Sequence, residues 1–500
     1  MDELVKERIK FEPLRERVVT AEEAAQFVED GMRIGTCGTM TAGYPISFFE
    51  ALAQRGEKGE RFKIDLWSCA PLGPEVDGKL AEAGLLNRRL AHQANPTLAK
   101  AINKGEIHYA DMGAAWVPVE VRKGSLGKLD LAVIEAVEIT DKGFVVPTIC
   151  PGDEATFLRY ADKVIVEINV NLPLELTGIH DMYIPDSPPK RKPIPLNSVT
   201  DRIGTPYIEV DPEKIKGIII SDKKTTPPKR AAIDETSRQI AKNIVGFFEK
   251  EVEGGRLPKN LLPFQTGLGA LGGAILSELE QSKFENLEVH SALLDDGVLD
   301  LIDSGKIKAV SGVGLFLTDE SLQKFFKDIE RYKQKIILRP IDIVNAAEVI
   351  QRLGVIAINT ALEMDIYGHI NSSHVGGTRI MTGVAGSIEF ARNGYLSIFM
   401  APSAAREGSI STIVPMVSHV DHTEHEVSVI ATEQGLVDLR GLDPRERATQ
   451  IIEKCAHPDY RPLLQDYFNE AEAKGGHEPH ILSKALDFHL RLAEKGTMKI

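Results

Sequence analysis

The stretch Leu287–Lys306, LEVHSALLDDGVLDLIDSGK, is where the chemistry of this chain should sit. Its alternation predicts a short strand, with Leu287, Val289 and Ser291 on one face and Glu288 and His290 on the other. The chain then breaks at Asp295-Asp296-Gly297 and continues as an apolar helical run through Leu299, Leu301 and Ile302. Proteins of α/β type place reactive side chains where the chain leaves the sheet and turns into a crevice. The residue expected at that exposed end is Ala292, which has no reactive group. What surrounds it must therefore decide what the stretch can do.

Other groups could carry chemistry. FQTGLGALGG, at 264–273, contains a formal GxGxxG in Gly267, Gly269 and Gly272. Alone it reads either as a dinucleotide turn, with Glu288 as the ribose acid, or as a glycine turn between strand and helix. GGTRIMTGVAGSIEFAR, at 376–392, is glycine-rich and runs into a helix. Free backbone N–H groups at such a turn bind a phosphate or stabilise an oxyanion, and a tight crossover is the plain alternative. It lacks the GK[ST] ending of a P-loop. SHVDHTEHE spaces His419, His422 and His425 at intervals of three. Helical spacing would gather His419 and His422 for a metal, but the segment reads as extended chain, which scatters the rings into ordinary hydrogen-bonded roles. Asn345, Glu363, Asp365 and Glu433 stand at the ends of apolar runs, where each alone is a cap or surface group.

These groups need a scaffold. The chain has 500 residues, which predicts two or three domains. A net charge of −14 argues against non-specific nucleic-acid or anionic-membrane partners. The four cysteines, Cys37, Cys69, Cys150 and Cys455, are scattered without a CxxC pair, which fits a reducing cytoplasm and no metal site. The charged N-terminus lacks an apolar signal region, and no stretch is long and apolar enough to be a membrane helix. A cytoplasmic location is the expectation.

The element pattern is α/β throughout. Thr20 caps TAEEAAQFVEDG, and MRIGTCGTMTAGYP runs as a strand into a loop with Gly35, Gly38 and Gly43 before the helix ISFFEALAQR. That loop is either an anion cradle or a structural turn. Strands are predicted at KIDLWSCA, LDLAVIEAVEI, KVIVEINV and KIKGIIIS, and an irregular excursion at YIPDSPPKRKPIP. The break SDKKTTPPKR precedes an amphipathic helix with Ile233, Ile240 and Ile244 at helical spacing, so the domains are expected at 1–229 and 230–500. Asp443, Pro444 and Glu446 fit N-cap, N1 and N3 of a helix near the end.

Taken together, TAGYP (41–45), FQTGLG (264–269), DGVLDLIDSGK (296–306), KIILRPIDIVN (335–345), EMDIYGHINSS (363–373), GVAGSIEFAR (383–392), IVPMVSHVDH (413–422) and ATEQGLVDLRGL (431–442) resemble the acetyl-CoA hydrolase/transferase family of class I CoA-transferases. The resemblance is greatest to the succinyl-CoA:acetate CoA-transferases. It implies two tandem CoA-transferase-type α/β domains, a homodimer, acyl-CoA and small carboxylates as substrates, and no cofactor beyond coenzyme A as substrate. It also implies ping-pong transfer through a glutamyl anhydride and a glutamyl-CoA thioester. By position, the oxyanion donors would be the N–H groups of Leu268 and Gly386, and Glu433 would orient the nucleophile or CoA. Gln265, Thr266, Gly267, Asn345, Gly383 and Ala385 would line the substrate, and Arg406 falls where relatives carry a lysine near the CoA phosphates. Ala292 takes the place of the glutamate nucleophile, since Ser291-Ala292-Leu293 stands where relatives read TEV. This leaves open a transferase inactivated at Ala292, a CoA-binding relative without catalysis, and a thioester hydrolase.

Overall fold

The computed structural model describes residues 3–40 and 42–500, so Thr41 of the TAGYP stretch lies outside it. The chain folds into two compact units. One comprises residues up to Lys229 with Val289–Leu299 and Lys308–Leu353; the other comprises Arg230–Glu288, Asp300–Ile307 and Gly354–Ile500.

The first unit is built on an eight-stranded sheet: β1 (Arg33–Thr36), β2 (Ile64–Trp67), β3 (Leu86–Leu90), β4 (His108–Ala110), β5 (Leu131–Ile139), β6 (Val145–Pro147), β7 (Lys163–Asn169) and β8 (Ile215–Ser221). The order is β4-β3-β2-β1-β5-β7-β8, with β6 antiparallel on β5 and the other pairs parallel. Every residue of β5 is buried, as expected of a parallel strand covered on both faces. Neighbour order reverses at β1, which pairs β2 on one side and β5 on the other. Such a reversal opens a crevice beyond the carboxyl ends of the two strands. The helix Ile46–Glu57 follows the loop after β1 and buries Phe48, Phe49 and Leu52.

Residues 308–353 join this unit for identifiable reasons. Leu315 N–H donates to Ile149 O (3.0 Å), Leu338 N–H to Ile179 O (3.1 Å), and Asp181 N–H to Leu338 O (2.8 Å). Two buried ion pairs reinforce the seam, Arg339 with Asp181 and Arg122 with Asp342. The position of Ala292 thus belongs to the first compact unit, a placement that local sequence patterns do not reveal.

The second unit begins with helix Glu235–Glu253, capped by Asp234 on Ser237 N–H. Its parallel strands are Phe264–Thr266, Ile356–Thr360, Leu396–Met400 and Val429–Thr432, with Gly435–Asp438 antiparallel at the edge. The capping box of Asp443 and Glu446 opens helix Pro444–Cys455 as the sequence predicts. That helix buries Ala448, Ile451 and Ile452 in a core shared with Met364, Tyr367 and Phe399. Among the described residues no helix is long and apolar enough to cross a membrane.

Candidate active site

In the second unit the residues that could bind an acyl-CoA collect beyond the carboxyl ends of the parallel strands. Strand Phe264–Thr266 runs into Gly267-Leu268-Gly269 and then into helix Ala270–Gln281. Gly267 N–H bonds Ile358 O (3.0 Å), which fixes the turn to the neighbouring strand. A Cβ on Gly272 would stand 1.8 Å from Gly267 O, so the helix lies directly on the turn and tolerates only glycine there. The GxGxxG spacing therefore has a packing cause in this chain. Gly269 has φ +94°, a conformation that favours glycine.

The GVAGS segment precedes helix Ser387–Asn393, with Gly386 at its N-cap. Ala385 sits at φ +53°, rare for a residue with a Cβ and characteristic of a turn held by its surroundings. Those surroundings are polar and half-buried: Ser387 Oγ donates to Val384 O (2.6 Å) and lies 3.2 Å from His422 Nε2. The N–H groups of Leu268 and Gly386 meet no acceptor among the described residues, as an oxyanion donor requires.

Glu433 follows strand Val429–Thr432. It accepts from Ser403 N–H (2.8 Å), the Ser403 hydroxyl and Gln434 Nε2 (3.0 Å). Burial alone would raise its pKa, but the bonds from Ser403 and Gln434 outweigh it and hold the carboxyl below its ordinary value. Glu433 is an oriented anion at neutral pH. Ser403 also begins the hairpin Ala404–Ala405/Ile410–Ser411, whose tip carries exposed Arg406 at φ +48°. One serine thus ties the two charged positions to the same hairpin. Ser403, fully buried, was missed in the sequence because a lone serine has no pattern. Asn359 was missed too: it is buried at the end of its strand, and its Nδ2 has no acceptor among the described residues.

Strand Leu287–Asp295 runs three residues beyond Ala292, so Ala292 lies within it and is half-buried. His290 is buried like Val289 and Ser291, so both faces of the strand are covered there. His290 Nε2 bonds Val344 O (2.7 Å), which ties the strand to the turn carrying buried Asn345. Ala292 and Asn345 are thereby brought to one neighbourhood. The carboxylates after Ala292 have structural partners: Asp295 accepts from Gly297 N–H (3.1 Å), and Asp296 from the Thr318 N–H (3.1 Å) and hydroxyl (2.9 Å).

The remaining polar positions are structural. Glu363 accepts from Asn371, Ser418 and His489, and Asp365 from the N–H groups of Tyr367, Gly368 and His369. His419 lies 3.2 Å from Asp421, His422 packs on Phe399, and exposed His425 pairs with Glu424. Their rings point to separate partners, as extended chain dictates.

Residues 2–220 match the model of the acetyl-CoA hydrolase/transferase N-terminal domain, and residues 322–468 that of the C-terminal domain. The chain belongs to the acetyl-CoA hydrolase/transferase family. The succinyl-CoA:acetate CoA-transferase of Clostridium kluyveri is 46% identical over 498 residues, covering 99% of this chain and 93% of the relative. The acetyl-CoA hydrolase of Saccharomyces cerevisiae is 41% identical, covering 99% of this chain and 98% of the relative. The 4-hydroxybutyrate CoA-transferase of Porphyromonas gingivalis superposes with a TM-score of 0.63 at 21% identity, covering 92% of this chain and 99% of that one. RipA from Yersinia pestis superposes with a TM-score of 0.69 at 21% identity, covering 90% of this chain and 96% of that one. Both likenesses bear on the fold alone. Membership in the family accounts for the tandem α/β domains.

Proposed function

We propose that this chain is a short-chain acyl-CoA:carboxylate CoA-transferase in a form whose covalent step is blocked at Ala292. One observation carries the reading: an oriented Glu433 anion and free Leu268 and Gly386 N–H groups are kept, while Ala292 stands where the reaction needs a carboxylate. One relative favours transfer, the succinyl-CoA:acetate CoA-transferase at 46% identity.

The reaction demands a nucleophile beside the thioester and donors facing the developing charge. A glutamate oxygen at position 292 would attack the acyl carbonyl, giving an acyl-glutamyl anhydride and CoA thiolate. The thiolate would attack the glutamyl carbonyl, releasing the free acid and leaving a glutamyl-CoA thioester. An incoming carboxylate would attack that thioester, forming a second anhydride and thiolate. Thiolate attack on the new acyl carbonyl would release the new acyl-CoA and restore the glutamate. Alanine supplies no such oxygen, and Asp295 and Asp296 are committed to backbone and Thr318. The chain should bind acyl-CoA and stop there.

The test is intact-mass analysis after mixing with acetyl-CoA. Ala292→Glu is expected to gain the mass of a glutamyl-CoA adduct, and the chain with alanine is not. An adduct on the alanine chain would place the nucleophile elsewhere. Hydrolysis is the second reading, because the Saccharomyces cerevisiae relative at 41% identity is an acetyl-CoA hydrolase. It would show in Ala292→Glu as free thiol released without a carboxylate acceptor.

A further inference from the structure

The first unit contains a cavity of about 550 Å³ beyond the carboxyl ends of β5, β7 and β8, beside the loop that follows β1. We propose that this cavity binds an aliphatic acyl group longer than acetyl, with an oxygen of its carboxyl or thioester on the carboxyl of Glu135. It lies where the strand order reverses, the place where sheets of this kind take ligands. Its volume falls within the roughly 300–1,000 Å³ of small-molecule sites.

The wall selects an aliphatic ligand. Ile149, Leu172, Leu315, Leu317, Leu322 and Phe326 line it. The buried polar anchor is Glu135, only 3% exposed. Its Oε1 accepts from Asn169 Nδ2 at 2.8 Å. Asn169 is itself fixed, since Nδ2 also donates to Lys223 O (3.0 Å) and Oδ1 accepts from Asn171 N–H (3.0 Å). The amide therefore sets the orientation of the Glu135 carboxyl. Burial, with nearby Glu167 adding to it, pushes the Glu135 pKa up to about 8 against the bond from Asn169. The Thr148 side chain, like Asn169, opposes this rise, and burial still favours the protonated acid, which has an O–H to donate. A buried neutral acid of this kind can hydrogen-bond a carbonyl or carboxylate oxygen. At the rim, Lys223 is held by Glu50 Oε2 (3.0 Å), and Lys224 stands beside it.

Acetate would leave most of the cavity to water, whereas a longer chain would displace it from the apolar wall and bury its own methylenes. Ala292 is not among the lining residues, so occupancy does not require turnover. The inference rests on the transferase reading for its choice of acyl ligands, and its test reads binding so that the two can fail separately.

The experiment is calorimetric titration of the full chain with acetate, butyrate and hexanoate. Each buried methylene should tighten binding about fourfold, or about fifteenfold between successive acids. Leu322→Trp, which fills the cavity, and Glu135→Leu, which removes the donor, should each weaken hexanoate at least about tenfold. Glu135→Gln, which keeps a donor, should stay within about threefold of the parent. If Leu322→Trp fails to fold by circular dichroism, the Gln and Leu variants of Glu135 decide. Hexanoyl-CoA separates the sources: competition with hexanoate places a thioester's acyl chain here, and simultaneous binding makes the cavity a site for the free acid. Affinity that is flat with chain length, or undiminished in both Leu322→Trp and Glu135→Leu, overturns the proposal. Failure of Ala292→Glu to form its adduct would leave these titrations unaffected.

Discussion

Replacing Gly272 by alanine tests whether the GLG turn is held in place by the helix behind it. The added Cβ would fall 1.8 Å from Gly267 O, a backbone atom that cannot swing aside. Overpacking of this kind costs about 1–3 kcal/mol, and a backbone contact belongs at the upper end. Alanine returns at most about 1 kcal/mol of helix propensity. The net expectation is a loss of about 2 kcal/mol. Gly273→Ala is the internal control: its Cβ would meet only Ile233 Cδ1 at 3.9 Å, so it should stabilise by up to about 1 kcal/mol. At roughly 2–4 °C per kcal/mol for a unit of 150–250 residues, the two variants should melt about 6–12 °C apart in calorimetry. The displaced Gly267 carbonyl also carries Leu268 N–H out of line. In an Ala292→Glu background, Gly272→Ala should therefore lower transfer by about 10²–10³, the usual cost of one lost oxyanion donor, and Gly273→Ala should leave it unchanged. A Gly272→Ala protein as stable as Gly273→Ala would refute the packing argument. A stable one that keeps full transfer would remove Leu268 from the oxyanion role.

Other expectations follow from buried charges. Arg339 and Asp181 are both buried, and Asp181 also accepts from Ile203 and Gly204 N–H. Arg339→Met should cost about 3–5 kcal/mol in denaturant unfolding, because it strands a buried carboxylate. A loss below about 1 kcal/mol would show that residues 308–353 do not depend on this pair to join the first unit. Burial pushes His290 down to about 4, and His180 likewise to about 4 against its bond to Thr148 O. Both are neutral when folded at pH 6, while unfolded histidine binds its proton near pH 6.5, so stability should fall as pH drops from about 6.5 toward 4. Each contributes up to about 1.4 kcal/mol per pH unit, and a flat melting temperature across that window would contradict their burial. Ser403→Ala should raise the Glu433 pKa, moving the loss of this carboxylate's contribution to higher pH in an acid titration followed by NMR.

Strands β1, β2, β5, β7 and β8 of the first sheet were legible because apolar-rich runs such as Leu131–Ile139 admit few alternatives, whereas the short β3, β4 and β6 were not; the caps at Thr20 and Asp443 were legible because their partners lie three residues on. The GLG turn was legible as a glycine pattern, but its cause was not, since the carbonyl that excludes a Cβ at Gly272 comes into view only once the helix is laid on the turn. The placement of residues 308–353 depended on long-range bonds such as Leu315 to Ile149, to which local periodicity is blind. The same holds for Ser403, which matters through Glu433, thirty residues away. Glu135 reads in sequence as an interruption of a strand, and only the closed sheet shows it facing a cavity.

The most direct test is acyl exchange, with acetyl-CoA and succinate, on this chain and on Ala292→Glu in parallel. The account predicts succinyl-CoA and acetate from the glutamate variant alone, with a rate several orders of magnitude above the alanine chain, because a covalent nucleophile and its partners fail as a unit. Equal exchange by both proteins would contradict it.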